Sequence, residues 1–162
     1  MVFSKMSAMI ESVQRKDGER RLNAAFFLTP KSDVAHLYAD STLRQGMEKM
    51  RSSGFSAIPV IRRDGVYVGT LREGDLLWHL IGEGYELTAH TLRDLESTRI
   101  ETILKPGLFP AARITAPMTE IVDMAMQQNF VPIVDDDGRF IGIVTRMHVM
   151  KYLTQDRVKT DA

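Results

Sequence analysis

The chain has 162 residues, of which 44% are hydrophobic and 26% charged, a composition typical of soluble globular proteins and not of disordered chains. Its 21 basic and 21 acidic residues balance to a net charge of zero, which argues against a protein that coats nucleic acid or an anionic membrane. Cysteine is absent, which excludes thiolate chemistry and disulfides and fits a reducing compartment, so we expect a cytoplasmic location.

The first 25 residues are interpreted as an N-terminal helix and a polar turn. Residues 4–15 lack the apolar run and the small-residue cleavage pattern of a signal peptide, so a helix is the better interpretation. No window of 18 apolar residues predicts a membrane-spanning helix anywhere in the chain.

A short extended segment at 34–38 comes next, and then an amphipathic helix. Leu43, Met47 and Met50 follow the i, i+4, i+7 spacing of a buried helical face, and the helix is expected to end near Gly54. Three residues are suitable N-caps for it: Asp40, Ser41 or Thr42.

Two strands joined by a tight turn at Asp64-Gly65 follow this helix, because Asp-Gly is typical of hairpin turns and Gly supplies a positive φ. The second strand leads into another helix over 74–81. The connecting segment after Gly82 contains a predicted helix over 91–95.

The same order of elements recurs in the second half. Three pairs of positions share one constant offset along the chain: Pro59 and Pro132, Gly65 and Gly138, and Gly69 and Gly142. The apolar helical face recurs at a slightly larger offset, at Met118, Val122 and Ala125. In this copy the sequence predicts an extended segment at 111–114, a helix capped by Thr115 with Pro117 in its first turn, and a last helix over 147–153. Each copy is therefore predicted to be β-α-β-β-α.

The end of each second strand carries a recognisable motif. Residues 69–75 read GTLREGD and residues 142–148 read GIVTRMH, both close to Gly-h-h-Thr/Ser-x-x-Asp, where h is hydrophobic. The doubled unit resembles a tandem cystathionine-β-synthase (CBS) domain pair, or Bateman module, as found in small stand-alone bacterial proteins. This implies an α/β fold of the α+β type, with two pseudo-symmetric repeats packed through their sheets. The expected divisions are 1–25 (helix and turn), 26–82 (first repeat), 83–103 (linker with a short helix), 104–155 (second repeat) and 156–162 (tail).

The resemblance implies a regulatory, non-catalytic module that binds an adenine nucleotide between its repeats, either of the AMP, ADP or ATP type or cyclic di-AMP. Apart from that regulatory ligand no cofactor or metal is expected. The family also implies a homodimer, and the short chain suggests that a separate partner protein carries the output. The alternative is a ligand-independent interaction or dimerisation module with degenerate nucleotide sites.

By position in the family motif, the ligand would contact the first strand, the residues around the strand proline, and the start of the last helix of each repeat. In the first repeat these are Ala35, His36, Ala57, Ile58, Pro59, Arg72 and Asp75. In the second repeat they are Ala111, Ala112, Phe130, Val131, Pro132, Thr145, Arg146 and His148.

Each repeat departs from the motif at one place. Arg72 stands where the family has Thr or Ser, and His148 stands where it has Asp. The resemblance implies that Asp75 grips ribose hydroxyls, which leaves Arg72 free for phosphate. Thr145 and Arg146 have two interpretations: contact with ribose or phosphate, or a helix cap that faces solvent.

Other conspicuous residues have structural interpretations. Asp135, Asp136 and Asp137 fit a hairpin turn better than a metal site, because the first repeat has Arg-Arg-Asp there. Trp78 is expected to pack in the core or in a dimer interface. Core packing is also the interpretation of four methionines on helical faces: Met47, Met50, Met118 and Met126.

Overall fold

The computed structural model describes residues 23–82 and 91–155. The predicted helix over 4–15, the polar turn after it and the tail from residue 156 lie outside the described residues. Along the described chain the elements are β1 (Thr29–Pro30), β2 (Leu37–Tyr38), α1 (Leu43–Ser53), β3 (Ala57–Ile61), β4 (Tyr67–Arg72), α2 (Glu73–Ile81), α3 (Thr91–Ser97), β5 (Ala112–Arg113), α4 (Met118–Gln127), β6 (Phe130–Val134), β7 (Phe140–Thr145) and α5 (Arg146–Gln155).

The described residues form two compact units, and the predicted β-α-β-β-α order is confirmed in both. The unit that contains residues 34–82, 91–110 and 137–140 is called the first unit. The second unit contains residues 23–33, 111–136 and 141–155. The mixed α/β fold class predicted from the sequence is confirmed.

The first unit is built on a three-stranded sheet of order β2-β3-β4. Strand β2 runs parallel to β3, and β3 runs antiparallel to β4. Of the three candidate caps, Thr42 begins α1: its hydroxyl accepts from the Gln45 backbone N–H, and the Gln45 side chain accepts from the Thr42 backbone N–H. Gly54 ends the helix with a φ of 72°, as predicted.

The hairpin between β3 and β4 turns through a three-residue loop. The Arg62 N–H donates to the Val66 carbonyl, and the Gly65 N–H donates back to the Arg62 carbonyl. Gly65 has a φ of 91°, so glycine is required at the position that the Asp-Gly pattern indicated.

The second unit has a four-stranded sheet of order β1-β7-β6-β5, in which the two-residue strand β1 pairs antiparallel with β7. Residues 26–33 therefore pack with the second repeat, although chain order led us to place them at the start of the first. At this pairing a Cβ on Gly142 would lie 2.2 Å from the Thr29 carbonyl oxygen, so the motif glycine is required for β1 to approach. The sequence-derived boundaries themselves stay a prediction.

Each unit has its own apolar core. In the first unit the core is formed by residues of all three strands and of α1 to α3, with the fully buried Leu43, Ile58, Val60, Leu71 and Ile100. In the second unit the fully buried members are Ala24, Met118, Ile121, Val131, Ile133 and Val144. Close packing of these side chains fixes the end of each last strand, where the motif residues lie.

Two predictions about local packing are wrong, and a third is narrowed. Thr115 does not cap α4; Pro117 occupies the N-cap position, and no side chain caps the helix. Met50 and Met118 are buried as predicted, but Met47 and Met126 are exposed, because they lie at the edges of the apolar faces. Trp78 is 57% exposed, so of its two predicted settings the core is excluded and the dimer interface stays a prediction.

Candidate functional site

In each unit the motif residues among the candidates lie where the last strand enters the last helix. We call residues 72–75 the first junction and residues 145–148 the second junction. The helix begins directly after the strand at this point. Its N-terminus offers free backbone N–H groups and the positive end of the helix dipole, which both favour negative charge.

At the first junction Arg72 and Asp75 bind each other. Arg72 Nη2 donates to Asp75 Oδ1 at 2.8 Å, and Arg72 Nε donates to Asp75 Oδ2 at 3.0 Å. The Arg72 backbone N–H also donates to Asp75 Oδ2, at 3.1 Å. The side chain of Asp75 is 6% exposed and that of Arg72 is 39% exposed. Arg72 is therefore not free, because its guanidinium is paired with Asp75, and its assignment to phosphate stays a prediction.

The segment that follows α3 adds a second cation to the first junction. The side chain of Ile100 is fully buried in the core of the first unit, and Leu104 packs against that core. These anchors place Lys105 Nζ 3.8 Å from Asp75 Oδ1. They also place the Phe109 ring 4.9 Å from the Arg72 guanidinium carbon, within cation–π distance.

Tyr67, at the start of β4, forms a hydrogen bond with the segment that contains Lys105 and Phe109. Its hydroxyl donates to the Phe109 carbonyl at 2.9 Å and lies 2.8 Å from Thr70 Oγ1, which then donates to it. Burial raises the pKa of Tyr67 to about 12, against a smaller lowering by the Thr70 hydrogen bond. The phenol is therefore neutral across the physiological range.

The ionisation of the first junction follows from these contacts. Burial pushes the pKa of Asp75 upward, but hydrogen bonds from Arg72 and the charges of Arg72 and Lys105 outweigh burial and hold it below its ordinary value. The hydrogen bond to Asp75 raises the pKa of Arg72. At neutral pH Asp75 is thus a carboxylate between two cations, Arg72 and Lys105, and the exposed carboxylate of Glu73 follows Arg72 in the chain.

The second junction is built differently. The Thr145 hydroxyl accepts from the His148 backbone N–H at 3.2 Å, so Thr145 is a helix cap, which was one of its two interpretations. Arg146 is exposed, and its Nε donates to the Ala125 carbonyl at 2.8 Å. His148 Nδ1 is buried and has no hydrogen-bond partner among the described residues.

The predicted apolar contacts divide by burial. Those that are partly exposed are Ala35, His36, Ala57, Ala111 and Phe130. Those that are buried are Ile58, Pro59, Ala112, Val131 and Pro132. His36 is held by a hydrogen bond between its Nδ1 and the Val34 carbonyl, at 3.1 Å, and its ring lies edge-on to Tyr38. The assignment of all these residues to a ligand stays a prediction.

Three residues that surround the first junction were not predicted from the sequence: Tyr67, Lys105 and Phe109. Lys105 and Phe109 lie in a segment without helical or strand periodicity, so no pattern indicated their position. The available signal for Tyr67 was the matched aromatic Phe140, which follows it at the same offset as the repeated prolines and glycines.

Residues 23–82 and 91–155 lack the features of two other classes of site. No group of three or more His, Asp or Glu side chains is arranged there to hold a metal ion. No helix in those ranges is long and apolar enough to cross a membrane.

The repeated junctions agree with a comparison to known families. A model of the CBS domain matches the chain twice, over residues 27–82 and 109–155. The chain belongs to the CBS-domain family. The two matches confirm a tandem CBS pair, and such pairs are typically regulatory, non-catalytic modules.

Curated relatives of this CBS protein share about a quarter of its residues. An uncharacterized protein of Methanocaldococcus jannaschii is 26% identical over 141 residues, which cover 72% of this chain and 84% of the relative. The chloroplastic CBS domain-containing protein CBSX1 of Arabidopsis thaliana is 24% identical, over 80% of this chain. The chain spans 63% of the length of CBSX1.

Solved structures have the same fold. A CBS domain-containing protein of Bacillus anthracis has a TM-score of 0.75 at 24% identity, covering 86% of this chain and 98% of its own. CbpB of Listeria monocytogenes, solved in complex with c-di-AMP, has a TM-score of 0.71 at 25% identity, covering 82% of this chain and 95% of its own. CBSX2, solved with AMP, has a TM-score of 0.66 at 20% identity, covering 83% and 98%.

Proposed function

We propose that this CBS pair is a regulatory module that binds an adenine nucleotide, with cyclic di-AMP as the first candidate, and that it signals to a separate partner protein in the cytoplasm. The observation that carries the proposal is the similarity to CbpB. A CbpB structure in complex with c-di-AMP matches at 25% identity over 93% of this chain and 99% of its own, with a TM-score of 0.73.

Cationic side chains at both junctions support an anionic ligand. Arg72 and Lys105 lie at the first junction and the exposed Arg146 at the second, although the whole chain has a net charge of zero. Arginine forks match the geometry of phosphate oxygens, and a lysine adds a point charge. The partly exposed alanines and Phe130 offer apolar surface for a base.

Regulation by a bound nucleotide would act through a shift in the population of conformations. A nucleotide that binds one arrangement of the module better than another shifts the population toward it, by no more than its difference in affinity. Occupancy could then alter the affinity for a partner protein by the same linkage. No residue is assigned to catalysis in this proposal.

Isothermal titration calorimetry tests the proposal. The protein is titrated with cyclic di-AMP, AMP, ADP, ATP and S-adenosylmethionine, with cyclic di-GMP as a control for the base. The proposal expects a Kd well below about 1 mM for at least one adenine ligand and none for cyclic di-GMP. Absence of binding by every adenine ligand at millimolar concentration would refute it.

One variant pair probes the second junction in the same titration. Arg146→Ala is expected to weaken a phosphorylated ligand more than adenosine, because only the former has charge for the guanidinium to contact. Arg113→Ala is the matched control, since this exposed arginine of the second unit contacts Asp136 instead, at 3.3 Å. Equal losses for both ligands in Arg146→Ala would contradict a phosphate contact.

An interaction module without a ligand is the second candidate, and exposed apolar side chains favour it. Leu77 and Trp78 on α2, and Met147 and Met150 on α5, are each about half exposed or more. These faces also support the homodimer that the family resemblance implies. Sedimentation of the protein with and without nucleotide separates the candidates: the regulatory module responds to nucleotide, whereas the interaction module associates identically in both.

A further inference from the structure

We propose that the exposed face of α2 docks on the exposed face of α5 in a second copy of this chain, so that a two-fold axis builds an antiparallel homodimer. Antiparallel here means that the first repeat of each copy meets the second repeat of the other. The contact then occurs twice in every dimer. The inference rests on the homodimer of the proposed function and adds the direction in which the two copies pair.

Both helices expose apolar side chains to water. On α2, Leu77 is 49% exposed and Trp78 is 57% exposed. On α5, Met147 is 64% exposed and Met150 is 58% exposed, and a spacing of three residues puts these two on one face. Aromatic residues and methionine are enriched in protein interfaces, so a partner surface accounts for both faces.

The two helices also correspond residue by residue. Glu73 begins α2 and Arg146 begins α5, at the same offset that relates the repeated prolines and glycines. Leu76 and Val149 occupy matched positions and are both buried in the cores of their units. Matched positions therefore face solvent in the same way on the two helices.

Matched surface positions of the two helices have complementary chemistry. The four pairs combine acid with base, small with long, apolar with apolar, and aromatic with cation: Glu73 with Arg146, Gly74 with Met147, Leu77 with Met150, and Trp78 with Lys151. The ammonium of Lys151 suits the face of an indole ring, and a flexible methionine fits over a residue that has no side chain. The two faces therefore suit each other.

The alternative dimer pairs each helix with its own copy. That arrangement opposes Glu73 to Glu73 and Lys151 to Lys151, and these residues are exposed and carry like charges. Like charges that meet across an interface weaken association and select against that partner. The charges of the two faces thus favour the antiparallel dimer over the parallel one.

Cysteine cross-linking tests the direction of pairing, because the chain has no cysteine of its own. The Leu77→Cys and Met150→Cys chains are produced separately and together, with different tags, and are oxidised with diamide. We expect a disulfide-linked dimer only from the co-produced chains, since a disulfide forms only between residues whose Cα atoms lie within about 7 Å. A disulfide within either chain produced alone would show that the helix pairs with its own copy and would overturn the inference.

Phe55→Cys is the matched control for random collision. Phe55 is 57% exposed and lies between α1 and β3, outside the α2 face. Co-produced with Met150→Cys, it should give no disulfide. Linking as efficient as that of Leu77→Cys would overturn the inference, and so would the absence of a disulfide between Leu77→Cys and Met150→Cys.

Sedimentation of charge variants gives a second test, at positions that are exposed and therefore tolerant of substitution. Trp78→Lys is expected to weaken the dimer about tenfold, because it opposes Lys151 of the other copy twice. Adding Lys151→Glu to it should restore most of the affinity. Lys49→Glu, on the exposed side of α1, is the control and should leave the dimer unchanged. If the double variant dimerises more weakly than Trp78→Lys alone, the helices pair with their own copies and the inference fails.

The outcomes are distinct from failure of nucleotide binding. If the wild-type protein sediments as a monomer with and without nucleotide, this inference falls, whereas the calorimetric test of the proposed ligand is unaffected. If no adenine ligand binds but the cross-linking pattern holds, the nucleotide proposal falls and the antiparallel dimer stands.

Discussion

The two junctions occupy matched positions in the repeats, yet each contains a different one of the two hydrogen bonds of a helix capping box. A full capping box needs a side-chain acceptor at the N-cap and another three residues later. At the second junction Thr145 accepts from the His148 backbone N–H, and at the first Asp75 accepts from the Arg72 backbone N–H. The second repeat therefore has the Thr of the family motif and the first repeat has its Asp. In the first repeat this carboxylate, Asp75, forms an ion pair with Arg72.

The two motif glycines, Gly69 and Gly142, differ in the space that surrounds them, and substitution at Gly142 has the largest expected effect on stability. Gly142→Ala would place a Cβ 2.2 Å from the Thr29 carbonyl oxygen, so β1 must separate from β7, at a cost of about 2–4 kcal/mol. Gly69→Ala is the matched control, because its Cβ would meet Leu104 at an ordinary 3.6 Å. Urea denaturation of both variants measures the difference; equal stabilities would contradict the pairing of β1.

Asp75→Ala removes the acceptor that caps α2 and the partner of Arg72. We expect the free energy of unfolding to fall by about 2 kcal/mol, less than for a fully buried pair because water reaches Arg72. The pKa of Asp75 is lowered in the folded protein, so its contribution is present above its ordinary value of 3.8 and is lost as the pH falls through the lower folded-state value.

Urea denaturation between pH 7 and pH 2 measures both parts of this expectation. The stability difference between wild type and Asp75→Ala should be full at neutral pH and shrink toward the acid end. A difference that stays constant over the whole range would show that the Asp75 charge contributes nothing.

Tyr67→Phe makes the first repeat resemble the second at a matched position, since Phe140 stands there. It leaves the buried Thr70 hydroxyl and the Phe109 carbonyl without their phenol partner, which we expect to cost about 1–2 kcal/mol at neutral pH. Because the pKa of Tyr67 is raised to about 12, its contribution is complete below pH 10 and is lost as the pH rises toward 12. Unfolding curves at pH 8 and pH 11 test this; a stability gap of equal size at both would refute the assigned burial.

Thr145→Ala removes the cap at the second junction, with an expected loss of about 1 kcal/mol. Thr145→Ser is the control that keeps the hydroxyl and should retain most of the stability. Thermal unfolding of the two variants measures the cap, and identical melting temperatures would assign the loss to the methyl group instead.

His148→Asp carries the smallest expected effect and completes the second junction. A carboxylate at this position would accept from the Thr145 backbone N–H, as Asp75 does for Arg72, and would place negative charge near the start of α5. It would also remove a buried Nδ1 that has no partner among residues 23–82 and 91–155. Chemical denaturation should show a gain of about 0.5 kcal/mol, the usual size of a favourable charge at a helix start. A loss would mean that the imidazole itself stabilises the junction.

Local signals predicted the elements of each repeat. The stripe at Leu43 and Met50, the caps near Thr42 and the Asp-Gly turns each depend on residues close in sequence, and they identified α1 and the hairpins correctly. The pairing of Arg72 with Asp75 was not predicted, because a three-residue spacing at a helix start suits both an ion pair and a shared ligand.

Contacts between residues far apart in the chain were not predicted from sequence patterns. Strand β1 is two residues long, so it has no periodicity, and its partner β7 lies in the other half of the chain. Lys105 reaches Asp75 only because Ile100 and Leu104 anchor its segment, a consequence of packing and not of spacing.

A crystal structure of the protein grown with AMP tests the central claim most directly. The account predicts that AMP lies at a junction, with its phosphate near Arg72 and Lys105 at the first or near Arg146 at the second. AMP bound away from both junctions, or no AMP in a crystal grown at millimolar AMP, would contradict the account.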